Sequence, residues 1–142
     1  NVGATNRGIE LGWQQTFGAV GGQVNYTYTD GKVSDGSEMV GNSKNTCNLV
    51  GFYDDGTFNA RLAYTYRSSF LAGLNNASIQ HMDNEGDLAA SVNWKFNDHL
   101  EFTFDALNLS NPKLKYYGTD RSQPLSTYSN GRQFYLGVRL SL

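Results

Sequence analysis

Seven stretches of the chain alternate apolar and polar side chains with a period of two, the pattern of strands with one apolar and one polar face. The clearest is Gln133 to Leu142, where Phe134, Leu136, Val138, Leu140 and Leu142 alternate with Gln133, Tyr135, Gly137, Arg139 and Ser141. Near the start, Ile9, Leu11 and Trp13 alternate with Gly8, Glu10, Gly12 and Gln14, and then Val24, Tyr26 and Tyr28 with Gln23, Asn25 and Thr27. A third stretch is less regular; its register places Cys47, Leu49, Gly51 and Tyr53 on the apolar side and Thr46, Asn48, Val50 and Phe52 on the other. The fourth runs from Phe58 to Arg67, the fifth from Asp87 to Phe96 and the sixth from Leu100 to Ala106. At Ala106-Leu107 the apolar phase shifts, which predicts a β-bulge. Past Pro112, Leu114 to Tyr117 reads as a short further strand.

The connections alternate in length. Phe17 to Gly22, Asp54 to Thr57 and Asn97 to His99 are tight, whereas Asp30 to Asn42, Ser68 to Gly86 and Asn111 to Gly131 are long and polar. Short turns on one rim and long loops on the other are the outer-membrane barrel pattern, and strands of about ten residues suffice to cross a bilayer when tilted. Aromatic residues agree with two interfacial belts: Phe17, Tyr53, Phe58, Trp94 and Phe96 flank the short turns, and Tyr26, Tyr28, Tyr64, Tyr66 and Phe134 lie toward the long loops. The expected fold is all-β: a transmembrane antiparallel up-and-down β-barrel segment of about seven strands, part of a larger barrel because an open seven-stranded sheet leaves two edges in lipid. A small eight-stranded barrel, serving as adhesin, anchor or lipid-modifying enzyme, would need Leu114 to Tyr117 as an eighth wall strand. A soluble β-sandwich would need polar outer faces around a shared core.

Composition narrows the classes further. The 142 residues contain 9 Tyr, 8 Phe and 16 Gly but only 2 Pro, which suits many strands joined by glycine turns. Mean hydropathy is −0.50, and no apolar run is long enough for a membrane helix; a barrel hides its apolar residues at alternate positions, so low hydropathy is compatible with membrane insertion. The net charge of −2 and dispersed basic residues exclude a nucleic-acid partner. Cys47 is the sole cysteine and excludes an internal disulfide. The chain opens at Asn1 without a basic and then apolar leader, so an upstream portion is expected to be missing.

Candidate chemistry is sparse, and no enzyme activity, cofactor or metal site is expected. His81 falls in a long loop and His99 in a short turn, on opposite rims, and each reads as an exposed histidine. Asp83, Glu85 and Asp87, or Asp30, Asp35 and Glu38, offer oxygen ligands of the kind calcium takes, but neither spacing matches a calcium loop, and solvated carboxylates are the simpler reading. Glu10, Arg61, Arg67, Lys95, Glu101, Asp105 and Arg139 all fall on the polar face, where they can pair, receive a plug or line a substrate path. Ligand contacts are expected from the long loops. The candidates are Arg67, Tyr116, Tyr117, Arg121, Tyr128 and Arg132, which supply aromatic planes for stacking and guanidinium forks for anions.

Three groups of residues carry a resemblance: Asn108-Leu109-Ser110-Asn111; Leu114 through Tyr116-Tyr117-Gly118; and Tyr128-Ser129-Asn130-Gly131-Arg132-Gln133-Phe134-Tyr135-Leu136-Gly137-Val138-Arg139. In this order they resemble the C-terminal part of a TonB-dependent outer-membrane receptor, and Arg7-Gly8-Ile9-Glu10-Leu11 and Ala60 through Ser68 are similar to earlier parts of the same barrels. The resemblance covers essentially the whole chain, 1–142. It implies a barrel of about 22 strands closed around an N-terminal plug that this chain lacks. It also implies location in the cell outer membrane, surrounded by outer-membrane lipid, and import of a small-molecule nutrient (a siderophore, cobalamin or an oligosaccharide). The implied partners are the remaining barrel strands, the plug domain, and the TonB complex through the missing N-terminal part. Tyr135, Gly137, Leu140 and Leu142 resemble the signal read by the barrel-assembly machinery, although members of the family usually end in an aromatic residue.

Overall fold

The computed structural model describes residues 3–75 and 78–141. The seven alternating stretches form one continuous antiparallel sheet. Its strands are β1 (Ala4–Phe17), β2 (Val20–Val33), β3 (Asn45–Asp54), β4 (Phe58–Arg67), β7 (Glu85–Asn97), β8 (Leu100–Leu107) and β11 (Gln133–Leu140), in that spatial order. Four shorter strands, β5 (Phe70–Asn75), β6 (Ser78–Met82), β9 (Leu114–Tyr117) and β10 (Pro124–Tyr128), make a second sheet ordered β10-β9-β6-β5.

The ladders fix which residues share a face. Trp13 lies opposite Val24, Val24 opposite Leu49, Leu49 opposite Tyr64 and Tyr64 opposite Leu88. One apolar rung therefore crosses five strands, and the predicted register of the third stretch holds. Parallel rungs run through Ala60, Val92, Phe104 and Leu136 and through Phe58, Trp94, Phe102 and Val138. No second layer lies over the large apolar residues of this face: Ile9 is 64% exposed, Leu11 62% and Leu136 87%. Among the described residues only Met82 and Ala106 are buried apolar side chains. A β-sandwich would bury one face of each sheet; here the apolar face is the outer surface, and only a lipid solvent makes that arrangement favourable.

The polar face carries the expected charges, with Lys95 opposite Glu101 and Glu101 opposite Arg139. Arg139 Nη1 donates to Glu101 Oε2 at 3.1 Å. Glycine is required on this face where a large neighbour leans across: the Phe52 ring lies over Gly21, its ladder partner, in the space a Cβ would fill.

Short turns close one rim. Gly18 takes a φ of 61° between β1 and β2. In the β3–β4 turn the Asp55 carboxylate accepts from the Phe58 and Thr57 amides at 2.7 and 2.9 Å. These two bonds, to Phe58 above all, hold the Asp55 carboxyl below its ordinary value of 3.8. The lowered value means the turn gains stability when Asp55 is ionised. The gain is complete above the unfolded-state value and is lost as pH falls through the lower folded value. Asp55→Asn is therefore expected to flatten the acid limb, so that the difference in urea midpoint between wild-type and variant protein shrinks below about pH 4.

Three expectations need correction. The ladder between β8 and β11 runs from Leu107 to Leu100 without a register shift, so no bulge sits at Ala106-Leu107. The phase changes one residue later, where Asn108 takes a left-handed φ of 57°; the register shift that does occur along β8 lies in its pairing with β7, at Lys95/Asn97 beside the short turn. The Ser68–Gly86 and Asn111–Gly131 connections are not purely polar loops, since they supply the second sheet. Leu114 to Tyr117 is a strand, as predicted, but β9 pairs with β6 and β10 and never enters the wall. The eight-stranded reading thus loses its eighth wall strand, and β1 and β11 remain the outer strands of an open sheet.

Candidate functional site

The three long connections interlock into one cap on the rim opposite the short turns. The first connection touches the second through Gly41 N donating to Leu71 O at 2.8 Å, and the second touches the third through Asp83 N donating to Lys115 O at 2.8 Å. A backbone pairing of β6 with β9, His81 opposite Tyr117 and Met82 opposite Tyr116, completes the unit.

Arg67, the last residue of β4, fastens this cap to the wall. Its Nε donates to Ser43 Oγ at 2.6 Å and Nη2 to Gly41 O at 2.8 Å, while the guanidinium lies 3.7 Å from the centre of the Phe70 ring. Ser43 is the one buried polar residue among the described residues. Lysine would keep the charge but lose the fork and the planar stack. Arg67→Lys is expected to loosen the cap by about 1–3 kcal/mol, seen as faster cleavage of the loops when cells carrying the intact protein are treated with protease.

The other candidate residues reach the same cap but are occupied within it. Arg121 pairs with Asp83 and with Asn84 Oδ1; the hydrogen bond to Asp83 and its charge push the guanidinium further above its ordinary value. Arg132 Nε donates to Leu109 O at 2.8 Å. Tyr116 meets Tyr128 edge to face at 5.9 Å between ring centres, and Tyr117 stacks on His81 at 5.4 Å and 16°. The two carboxylate groups weighed as calcium ligands are engaged with protein groups: Asp35 accepts from Ser37 Oγ and N at 2.6 and 2.9 Å, bonds that lower its pKa, and Asp83 is paired with Arg121. Among the described residues no three His, Cys, Asp or Glu side chains converge as a metal site.

His81 is the residue the sequence reading undervalued. Its ring is three-quarters buried, Nε2 lies 3.3 Å from Glu38 Oε2, and Nδ1 is buried without a partner. The signal was the apolar run Phe70-Leu71-Ala72 in a supposedly polar loop, which becomes part of β5 and sets Leu71 opposite His81 across the β5–β6 ladder. His99, as predicted, lies on the other rim, its Nδ1 2.9 Å from Ser141 O.

The Asn108-Leu109-Ser110-Asn111 motif has a structural role. Asn108 and Asn111 both take left-handed φ values, 57° and 46°, which asparagine tolerates best after glycine. Asn108 Nδ2 donates to Gly131 O and Ser129 Oγ to Asn111 Oδ1, so the motif ties together both roots of the third long connection. Of the terminal residues expected in the assembly signal, Tyr135 and Gly137 share the polar face and Leu140 is 73% exposed on the apolar face. Gly137 faces the Thr103 hydroxyl, which occupies the place of a Cβ. Leu142 lies outside the described residues.

Comparison with known proteins agrees with this geometry. A family model described as "TonB dependent receptor-like, beta-barrel" matches residues 1–109. Among solved structures, the FrpB iron transporter from Neisseria meningitidis (F3-3 variant) superposes with a TM-score of 0.69 at 20% sequence identity, over 99% of this chain and 24% of that one. This chain therefore spans about a quarter of that protein, and the likeness is one of fold. No curated protein matches the sequence.

Proposed function

The chain belongs to the TonB-dependent receptor β-barrel family of the outer membrane, and from that premise we propose that residues 1–142 form the C-terminal wall and part of the outer cap of a receptor importing a scarce small-molecule nutrient. The observation that carries this reading is the single sheet whose large apolar residues face outward and exposed, crowned on its long-loop rim by a second, four-stranded sheet. In this reading the cap meets the nutrient first. The polar face, with Arg61, Lys95, Glu101, Asp105 and Arg139, lines the barrel interior and receives the plug. The plug and the remaining strands come from the rest of the protein, the plug side contacts TonB, and Tyr135, Gly137, Leu140 and Leu142 present the chain to the barrel-assembly machinery. No step of this function requires bond chemistry.

Uptake by cells carrying the intact protein tests the reading. Accumulation of a nutrient that stops when TonB is deleted or the inner-membrane proton gradient is collapsed supports it. Passage that survives both treatments would mean a passive pore and would overturn it.

A further inference from the structure

The cap sheet repeats the order of the wall beneath it. Along the chain β5 follows β4 and β6 precedes β7, while β9 follows β8 and β10 precedes β11. In space the wall runs β4-β7-β8-β11 and the cap β5-β6-β9-β10. Each cap strand thus continues the series above its own wall strand, with β10 above β11. Main-chain hydrogen bonds join this series from end to end: β5 pairs with β6, β6 with β9 and β9 with β10. Beyond β5 the first connection carries it on, through Gly41 N donating to Leu71 O at 2.8 Å.

Beyond β10 nothing among the described residues carries it on. β10 is the last strand of its sheet, so alternate backbone groups along Ser126, Thr127 and Tyr128 point away from β9. Water-exposed sheet edges are normally blunted by charged residues or proline. The sequence of β10, Pro-Leu-Ser-Thr-Tyr, holds no charge and has its proline only at the first position, while Leu125 is 61% exposed and Tyr128 56%. Below it, β11 has an open edge as well, and in lipid that edge must be paired by another barrel strand.

We infer that the free edge of β10 takes a fifth cap strand, supplied by the long connection that rises from the barrel strand paired with β11, in the part of the receptor outside residues 1–142. The inference rests on the reading of this chain as one part of a closed barrel, and it names the partner of the cap. The argument for this occupant is continuity. A strand beside β11 lies about 4.8 Å from it, so its rim end emerges next to β10, as the rim end of β7 emerges next to β5. An extended segment there meets the outward amides and carbonyls of β10, and its side chains cover Leu125 and Tyr128. The third connection is then laced across the seam between this chain and the rest of the barrel, and cannot swing outward without breaking that ladder.

The test is residue-resolved hydrogen exchange on the intact receptor in detergent. On a free edge, the amides of Ser126, Thr127 and Tyr128 alternate between protection by β9 and the rate of an unstructured peptide. With the fifth strand in place all three are expected to exchange at least about tenfold more slowly than that rate. Replacing the connection beside β11 by a short Gly-Ser turn is expected to restore the alternation. Thr127→Cys, combined with single cysteines along that connection, locates the partner without removing it, and a disulfide is expected at one or two adjacent positions. Alternating exchange in a receptor that keeps the gel mobility of a folded barrel would overturn the inference and leave the closed-barrel reading standing. Protection lost on dilution, as a second copy would give, or the absence of any crosslink to that connection would also overturn it. A receptor without the mobility of a folded barrel would remove the closed-barrel reading and the inference with it.

Discussion

Leu136→Arg is expected to prevent the intact protein from inserting as a folded barrel, although Leu136 is the most exposed large apolar residue in the structure, at 87%. In a water-soluble protein an arginine there would cost almost nothing. Leu136 shares a rung with Phe104, Val92 and Ala60, well inside the apolar band between the two aromatic belts. A guanidinium near the bilayer midplane costs about 2–4 kcal/mol, a large fraction of the stability of a folded domain. Thr103→Arg, on the opposite face of the neighbouring strand, puts the same side chain beside Gly137 in the polar interior and is the matched control. The measurement is the urea midpoint of refolding into lipid vesicles, read by the shift in gel mobility of the unheated barrel. A Leu136 variant that refolds at the wild-type midpoint would mean that this face does not meet lipid.

Asn108→Val should be nearly as damaging for a different reason. The site has a φ of 57°, which a β-branched residue can hardly adopt, and the change also removes the amide bond to Gly131 O that ties the roots of the third connection together. Strain and the lost hydrogen bond together are expected to cost about 2–4 kcal/mol. Asn108→Gly separates the two contributions, because glycine accepts the dihedral and forfeits only the bond, so its cost should be about 1 kcal/mol. Equilibrium unfolding of the two variants gives the comparison; equal losses would mean that the left-handed backbone contributes no strain.

Much of the wall was legible before any coordinates, because each wall residue faces either lipid or the polar interior and its chemistry declares which. Phe58 to Arg67 emerges as β4 without moving an end, and the terminal stretch emerges as β11 up to Leu140. A one-residue slip would bring Arg61, Lys95 or Arg139 into lipid, so the register is written into the alternation itself. The bulge at Ala106-Leu107 was misplaced because a shift in apolar phase shows that the backbone turns over, but cannot tell an inserted residue from a left-handed asparagine one position on.

The cap was legible only in outline. Strands of four to six residues such as β5, β6, β9 and β10 are too short for a period of two to stand out, and their faces divide between protein and water less sharply than the wall divides between protein and lipid. Arg67, Arg121 and the loop tyrosines were found as residue types, yet their partners Ser43, Phe70, Asp83 and His81 lie up to dozens of positions away along the chain. Local sequence thus determined the wall, since partition between lipid and a polar interior acts on each residue separately. Only the tertiary structure decided the cap, since the wall ladders set where the loop roots emerge and so which distant side chains can meet.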